Sequence, residues 1–163
     1  MGFAESYLGQ LRAAVGHRPL LVIGVRVMVE DSAGRVLILR RSDTGDWGLP
    51  AGAMELGDSL EAAMRREVLE ETNLRLGAIE VFGISSDPAI ENFTYPNGDQ
   101  VQTVSILARA PMAGGAPGSN DGEAEDFRFV DPGSVRAEHF TRPEFPSLQA
   151  YLRWRETRAF QFF

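Results

Sequence analysis

The stretch Gly52–Leu74, GAMELGDSLEAAMRREVLEETNL, decides how this chain is read. Glu67, Glu70 and Glu71 stand at i, i+3 and i+4, so at about 100° per residue they share one helix face. Three carboxylates that close repel one another unless something positive sits among them. Oxygen-rich clusters of this kind suit Mg2+, with Mn2+ as the alternative. Asp58 is a strong N-cap residue and Glu61 would complete a capping box, which predicts a helix from about Ser59 to Thr72. Asn73 suits the left-handed residue that closes such a helix.

The bland alternative is a solvated helix carrying the i,i+4 pairs Glu61–Arg65 and Arg66–Glu70. Leu60, Ala63, Met64 and Leu74 argue against it, because they fall on the same stripe as the three glutamates. A solvated face would lie opposite the apolar stripe. Burying unpaired carboxylates is costly, so this stripe must meet cations, Arg or a wet cleft. Leu69 points away from both groups and suggests a second packing contact.

The gross composition agrees. The chain has 163 residues, 44% hydrophobic and 24% charged, which fits one globular domain over 1–163. Its longest apolar runs, Pro19–Val25 and Val104–Ala108, end at Arg26 and Arg109 and suit strands rather than membrane spans. The start, MGFAESYLGQ, has no basic region followed by an apolar one, and the chain has no cysteine. Both fit a cytoplasmic protein without disulfides or zinc-thiolate sites. A net charge of −7 disfavours nucleic acid and anionic membrane as partners. An acidic protein that accepts a phosphate ester needs bound divalent cations to reverse the sign of its site.

Outward from the central stretch, residues 5–15 carry Tyr7, Leu8, Leu11 and Val15 at helical spacing. Leu20–Val29 and Arg35–Leu39 read as a hairpin around Asp31–Gly34. Further strands are expected at Ala78–Gly83, Ile90–Thr94, Val101–Arg109 and Asp126–Val130, with a hairpin turn at YPNGD, residues 95–99. Pro111–Gly122 holds several Gly and Pro and is expected to be a mobile loop. Pro146–Arg155 reads as a closing helix. The tail AFQFF, 159–163, is apolar enough to dock on the core or on a second copy of the chain, which makes a homodimer a candidate assembly. Phe93 and Tyr95 are weighed as base-stacking residues against plain core or dimer contacts. Trp47 is expected beneath its loop, and His17 and His139 are expected to be structural.

Gly52, Arg66-Glu67, Glu70-Glu71 and Leu74 resemble the Nudix box, Gly-x5-Glu-x7-Arg-Glu-U-x-Glu-Glu-x-Gly-U, where U is bulky and aliphatic. The lead-in WGLPAG (47–52), the start GHRPLLVIGV, the turn YPNGD and DGE at 121–123 extend the likeness over most of the chain. Asp58 stands where Glu is usual, Asn73 where Gly is usual, and Ala51 replaces a common Gly. The resemblance implies an α/β fold, the Nudix α/β/α sandwich with a mixed β-sheet. It also implies a divalent-metal-dependent hydrolase that cleaves a phosphoanhydride in a nucleoside diphosphate linked to another moiety, of the ADP-ribose or nucleotide-sugar type. A nucleoside triphosphate pyrophosphatase and a non-hydrolysing nucleotide sensor are the rivals. Glu67, Glu70, Glu71 and the main-chain carbonyl of Ala51 are then expected to hold the metal, with Arg66 orienting the carboxylates. Arg66, Glu67 and Glu71 form the expected catalytic set. Glu123 is a further candidate ligand or base, and Arg41 a candidate phosphate contact.

Overall fold

The computed structural model describes residues 2–95, 97–120 and 122–163, so Pro96 of YPNGD and Asp121 of DGE lie outside the described residues. In chain order the elements are α1 (Tyr7–Val15), β1 (Leu20–Glu30), β2 (Val36–Arg41), β3 (Trp47–Gly48), β4 (Ala51–Ala53), α2 (Leu60–Thr72), β5 (Leu74–Leu76) and β6 (Glu80–Ser85). There follow α3 (Pro88–Glu91), β7 (Asn92–Thr94), β8 (Gln100–Gly115), β9 (Ala124–Val130), α4 (Phe145–Thr157) and β10 (Gln161–Phe162). The main path of the mixed sheet runs β10-β6-β8-β1-β2-β3. Its spine is the parallel pair β1 and β8, in register from Leu20 opposite Val101 to Glu30 opposite Pro111.

Strand alternation divides the core into two layers. On β1, Val25, Val27 and Val29 face α2, where they meet Ala63, Met64 and Val68. Met28, from the other face, packs with Phe82, Leu107 and the α4 residues Leu148, Tyr151 and Trp154. The sheet therefore lies between α2 and α4, an α/β/α sandwich as expected. Val68 sits within the buried stripe of α2, whereas Leu60 is exposed and Leu69 is 42% exposed rather than packed.

Several expectations are corrected. Ser59, not Asp58, caps α2: its Oγ accepts from Ala62 N–H at 3.1 Å. Both residue types cap well, and Asp58 is drawn away by Arg66, while Glu61 pairs with Arg65 instead of closing a capping box. Asn73 does adopt the left-handed conformation, φ 57°. Pro111–Gly122 is not wholly loop. Strand β8 runs on to Gly115 and pairs with β5, a strand absent from the expectations. At Gly115, φ is 94° and an added Cβ would collide with the Asn73 carbonyl, so glycine there serves close approach to the end of α2. The remaining loop is tied down, with Gly118 N–H on Thr72 O and Asn120 N–H on Glu70 O, each at 3.0 Å. Ile90–Thr94 splits into the turn α3 and the short β7, because Glu91 must turn inward to meet Arg26. The tail docks on its own chain: β10 adds parallel to β6, and Phe163 packs against the α4 layer.

Candidate active site

Strand β4, α2, the end of β2 and the residues leading into β9 bring Arg66, Glu67, Glu70, Glu71, Glu123, Arg41 and Ala51 to the wall of one cavity of about 850 Å³. Every residue singled out for the site lines it. The helix grades its three acids by angle. Glu71 falls at the centre of the buried stripe and is 5% exposed. Glu67 lies at its edge, with a side chain 14% exposed, and Glu70 is turned outward at 37%.

Arg66 supplies the positive charge among them. Its guanidinium donates to Glu67 Oε1 at 2.7 Å, to Glu70 Oε2 at 3.4 Å, to Asp58 Oδ2 at 3.0 Å and to the Ala53 carbonyl at 3.0 Å. Asp58 thus anchors the arginine that anchors the glutamates, which explains how the shorter acid serves at its box position. Glu71 Oε2 accepts the Ala51 N–H at 2.8 Å, tying the helix to β4. Gly52 has to be glycine because the Glu67 carboxylate lies directly on its Cα, in space that a Cβ would fill.

Burial pushes the Glu67 carboxyl up to about 7 against the pull of Arg66, and Glu70 and Glu123 repel it further. Burial likewise lifts Glu71 well above the ordinary carboxylate range, reinforced by Glu67, Glu144 and Glu123 and opposed by the Ala51 N–H. Such a site carries more negative charge than its protein partners neutralise. Among the described residues no three His, Cys, Asp or Glu side chains converge as a ready-made ion cage. The donor set is nonetheless all oxygen, it surrounds one cavity, and burial with mutual repulsion raises the carboxyls of Glu67 and Glu71. These residues fit Mg2+ or Mn2+ rather than a softer metal.

Arg41 is paired with Asp43 through Nε at 3.0 Å and Nη2 at 2.9 Å, so the cation proposed for phosphate is already half-satisfied. It borders both this cavity and an adjoining one of about 340 Å³. Phe93 and Tyr95 line that second space, edge to face with centroids 4.7 Å apart. The Glu123 main chain is held by Ser42, whose N–H donates to its carbonyl at 2.9 Å. Trp47 is half-buried beneath its loop with Arg128 over its ring, and His17 bonds Asp99 at 2.8 Å.

Sequence reasoning missed two groups at this site. Arg26 and Glu91 form a buried pair behind the smaller cavity, with bonds of 2.7 and 2.9 Å, and Ser85, Thr103 and Ser105 complete the carboxylate's shell. The interruption of an apolar strand by Arg26 was its only sequence signal. Glu144 is buried against the Trp47–Ala51 loop, and nothing in TRPEFP announces it.

The NUDIX domain family model matches residues 20–151. A MutT-like protein from Streptomyces ambofaciens is 38% identical over 78 residues, 48% of this chain and 50% of that protein. An ADP-ribose pyrophosphatase from Methanocaldococcus jannaschii is 27% identical over 124 residues, 74% of this chain and 68% of that protein. The match therefore spans half of the first relative and about two thirds of the second. The crystal structure of a NUDIX hydrolase from Nitrosomonas europaea superposes with a TM-score of 0.69 at 25% identity, covering 87% of this chain and 76% of that one. With its box assembled on α2 and its sheet sandwiched as in that structure, this chain belongs to the NUDIX domain family.

Proposed function

We propose that this protein, one Nudix domain over 1–163, hydrolyses a phosphoanhydride bond in a nucleoside diphosphate linked to another moiety, of the ADP-ribose or nucleotide-sugar type, with Mg2+ or Mn2+ as its cofactor. The observation that carries the reading is the convergence of Glu67, Glu70, Glu71, Glu123, Arg66 and Ala51 on one cavity bordered by Arg41. The relative named ADP-ribose pyrophosphatase supports the substrate class.

Glu67, Glu70 and Glu71, with the Ala51 carbonyl and Glu123, are the residues that would hold the metal. When bound, the ions neutralise the phosphates and lower the pKa of the attacking water. Arg66 keeps Glu67 and Glu70 in place by charge-assisted hydrogen bonds. Arg41 meets the phosphates at the rim, while the smaller cavity, with Phe93 and Tyr95 on its wall, takes the nucleoside. Water's oxygen bonds to phosphorus, the bridging P–O bond breaks, and a carboxylate accepts the proton, either a box glutamate or Glu123. The cysteine-free chain fits the reducing cytoplasm.

A panel of ADP-ribose, nucleotide-sugars and nucleoside triphosphates, assayed with Mg2+ and with Mn2+, tests the reading. Release of a nucleoside monophosphate and a sugar phosphate is expected. Pyrophosphate release from triphosphates alone would assign the chain to the triphosphate class. Saturable binding without turnover of any compound would make it a sensor and overturn the proposal.

A further inference from the structure

Glu144 is 7% exposed, and its only side-chain hydrogen bond among the described residues comes from the Leu49 N–H, at 2.6 Å in a buried setting. It stands at the entrance to α4 without capping that helix through its side chain. A buried carboxylate with a single main-chain donor is costly, so packing does not account for it. Its surroundings do. A Cβ on Gly48 would come closer than 3.0 Å to Glu144 Oε2, so the carboxylate lies flush on the main chain of Gly48. The same turn grips the preceding residue, for Thr141 N–H donates to the Trp47 carbonyl at 2.8 Å. Two residues beyond Leu49, the Ala51 N–H meets Glu71, and between them the Pro50 carbonyl accepts from Val27 N–H at 3.0 Å. The segment 47–52 is thus strung between Glu144 at one end and Glu71 and Glu67 at the other.

We propose that Glu144 is a positioning residue: by holding the Leu49 N–H it sets the path of segment 47–52, and through it the Ala51 main chain and the Glu71 carboxylate. This deepens the proposed function and rests on its assignment of Ala51 and Glu71. Glu144 lies beside the smaller cavity, yet its hydrogen bond points at the loop rather than into that space.

The test compares Glu144→Ala, which removes the acceptor, with Glu144→Gln, which keeps an oxygen for Leu49. Amide hydrogen exchange of Leu49 and Ala51 is read by NMR without metal or substrate, so it stands whether or not any compound is turned over. Glu144→Ala is expected to speed exchange at both amides at least about tenfold, and Glu144→Gln to leave both within about threefold. On a substrate that the wild type cleaves, kcat should fall at least about 30-fold in Glu144→Ala with KM within about threefold, and Glu144→Gln should restore it. Gly48→Ala pushes the carboxylate from the other side and should reproduce the Glu144→Ala pattern, which keeps the test alive if that variant fails to fold. Fast exchange at Leu49 with Ala51 unchanged would overturn the proposal. So would a Glu144→Gln variant as impaired as Glu144→Ala and impaired mainly in KM, the mark of a substrate contact.

Discussion

Gly52→Ala is the sharpest probe of the carboxylate cluster. An alanine Cβ there would stand about 1.3 Å closer to the Glu67 carboxyl carbon than the 3.4 Å at which ordinary contact begins. The glutamate has to retreat by that distance, since the backbone of β4 is paired to Val25 of β1. Such a retreat breaks the 2.7 Å bond from Arg66 and carries the carboxylate away from the cavity wall. Misplacement of a reacting or ligating group by about 1 Å costs on the order of 10²-fold in rate, and that is the fall in kcat expected here. Stability should change little, because Gly52 is not among the residues at positive φ and Glu67 can move by side-chain rotation. The assay is steady-state release of nucleoside monophosphate at saturating Mg2+, with a thermal melt of each variant. In a Glu67→Ala background, Gly52→Ala should add almost nothing, because the clash is gone. Near-normal kcat in Gly52→Ala would refute the placement of Glu67 as a ligand. An equal loss in both backgrounds would show that the damage runs through the strand instead.

Three further outcomes follow from the same geometry. Glu71→Gln should lower kcat at least ~10²-fold with the fold intact, and near-normal turnover would sink its assignment as a ligand. Glu67 and Glu71 have carboxyls raised in the folded state, so at these two groups the folded chain holds more protons than the unfolded one above pH 4.5. Stability of the metal-free protein should therefore drop as pH rises from 4.5 to about 7, by up to about 3 kcal/mol from Glu67. Mg2+ should flatten that slope, and a melting temperature independent of both pH and Mg2+ would contradict the electrostatics. Arg26→Met strands the buried Glu91 and should cost about 3–5 kcal/mol in urea unfolding, while Arg26→Met with Glu91→Met should recover most of it. A single-variant loss below about 1 kcal/mol would mean the pair is not held as described.

What could be read locally and what could not divide along a physical line. The helix Leu60–Thr72, its left-handed close at Asn73 and the shared face of Glu67, Glu70 and Glu71 depend on neighbours within a turn or two, and the sequence carries them. The alternation of β1 and the shortage of positive charge at the box are equally local facts. Even nearby, the cap expected at Asp58 falls to Ser59, because Asp58 is held by Arg66.

The rest was decided by chain reversal. Pairing of Leu74–Leu76 with the Gly-rich end of β8 joins a segment assigned no element from the sequence to one whose composition reads as loop, and backbone hydrogen bonds across the fold make both strands. The turn Pro88–Glu91 takes the first two residues of the strand expected at Ile90–Thr94, because Glu91 pairs with Arg26, 65 residues away in the chain. Glu144 reaches Leu49 across 95 residues of chain. Sequence alone therefore determined the acid-bearing helix and the carboxylate face that it presents. Tertiary structure alone decided which distant acid and arginine were buried beside that helix, since desolvation and pairing of charges depend on what the fold brings within hydrogen-bond reach.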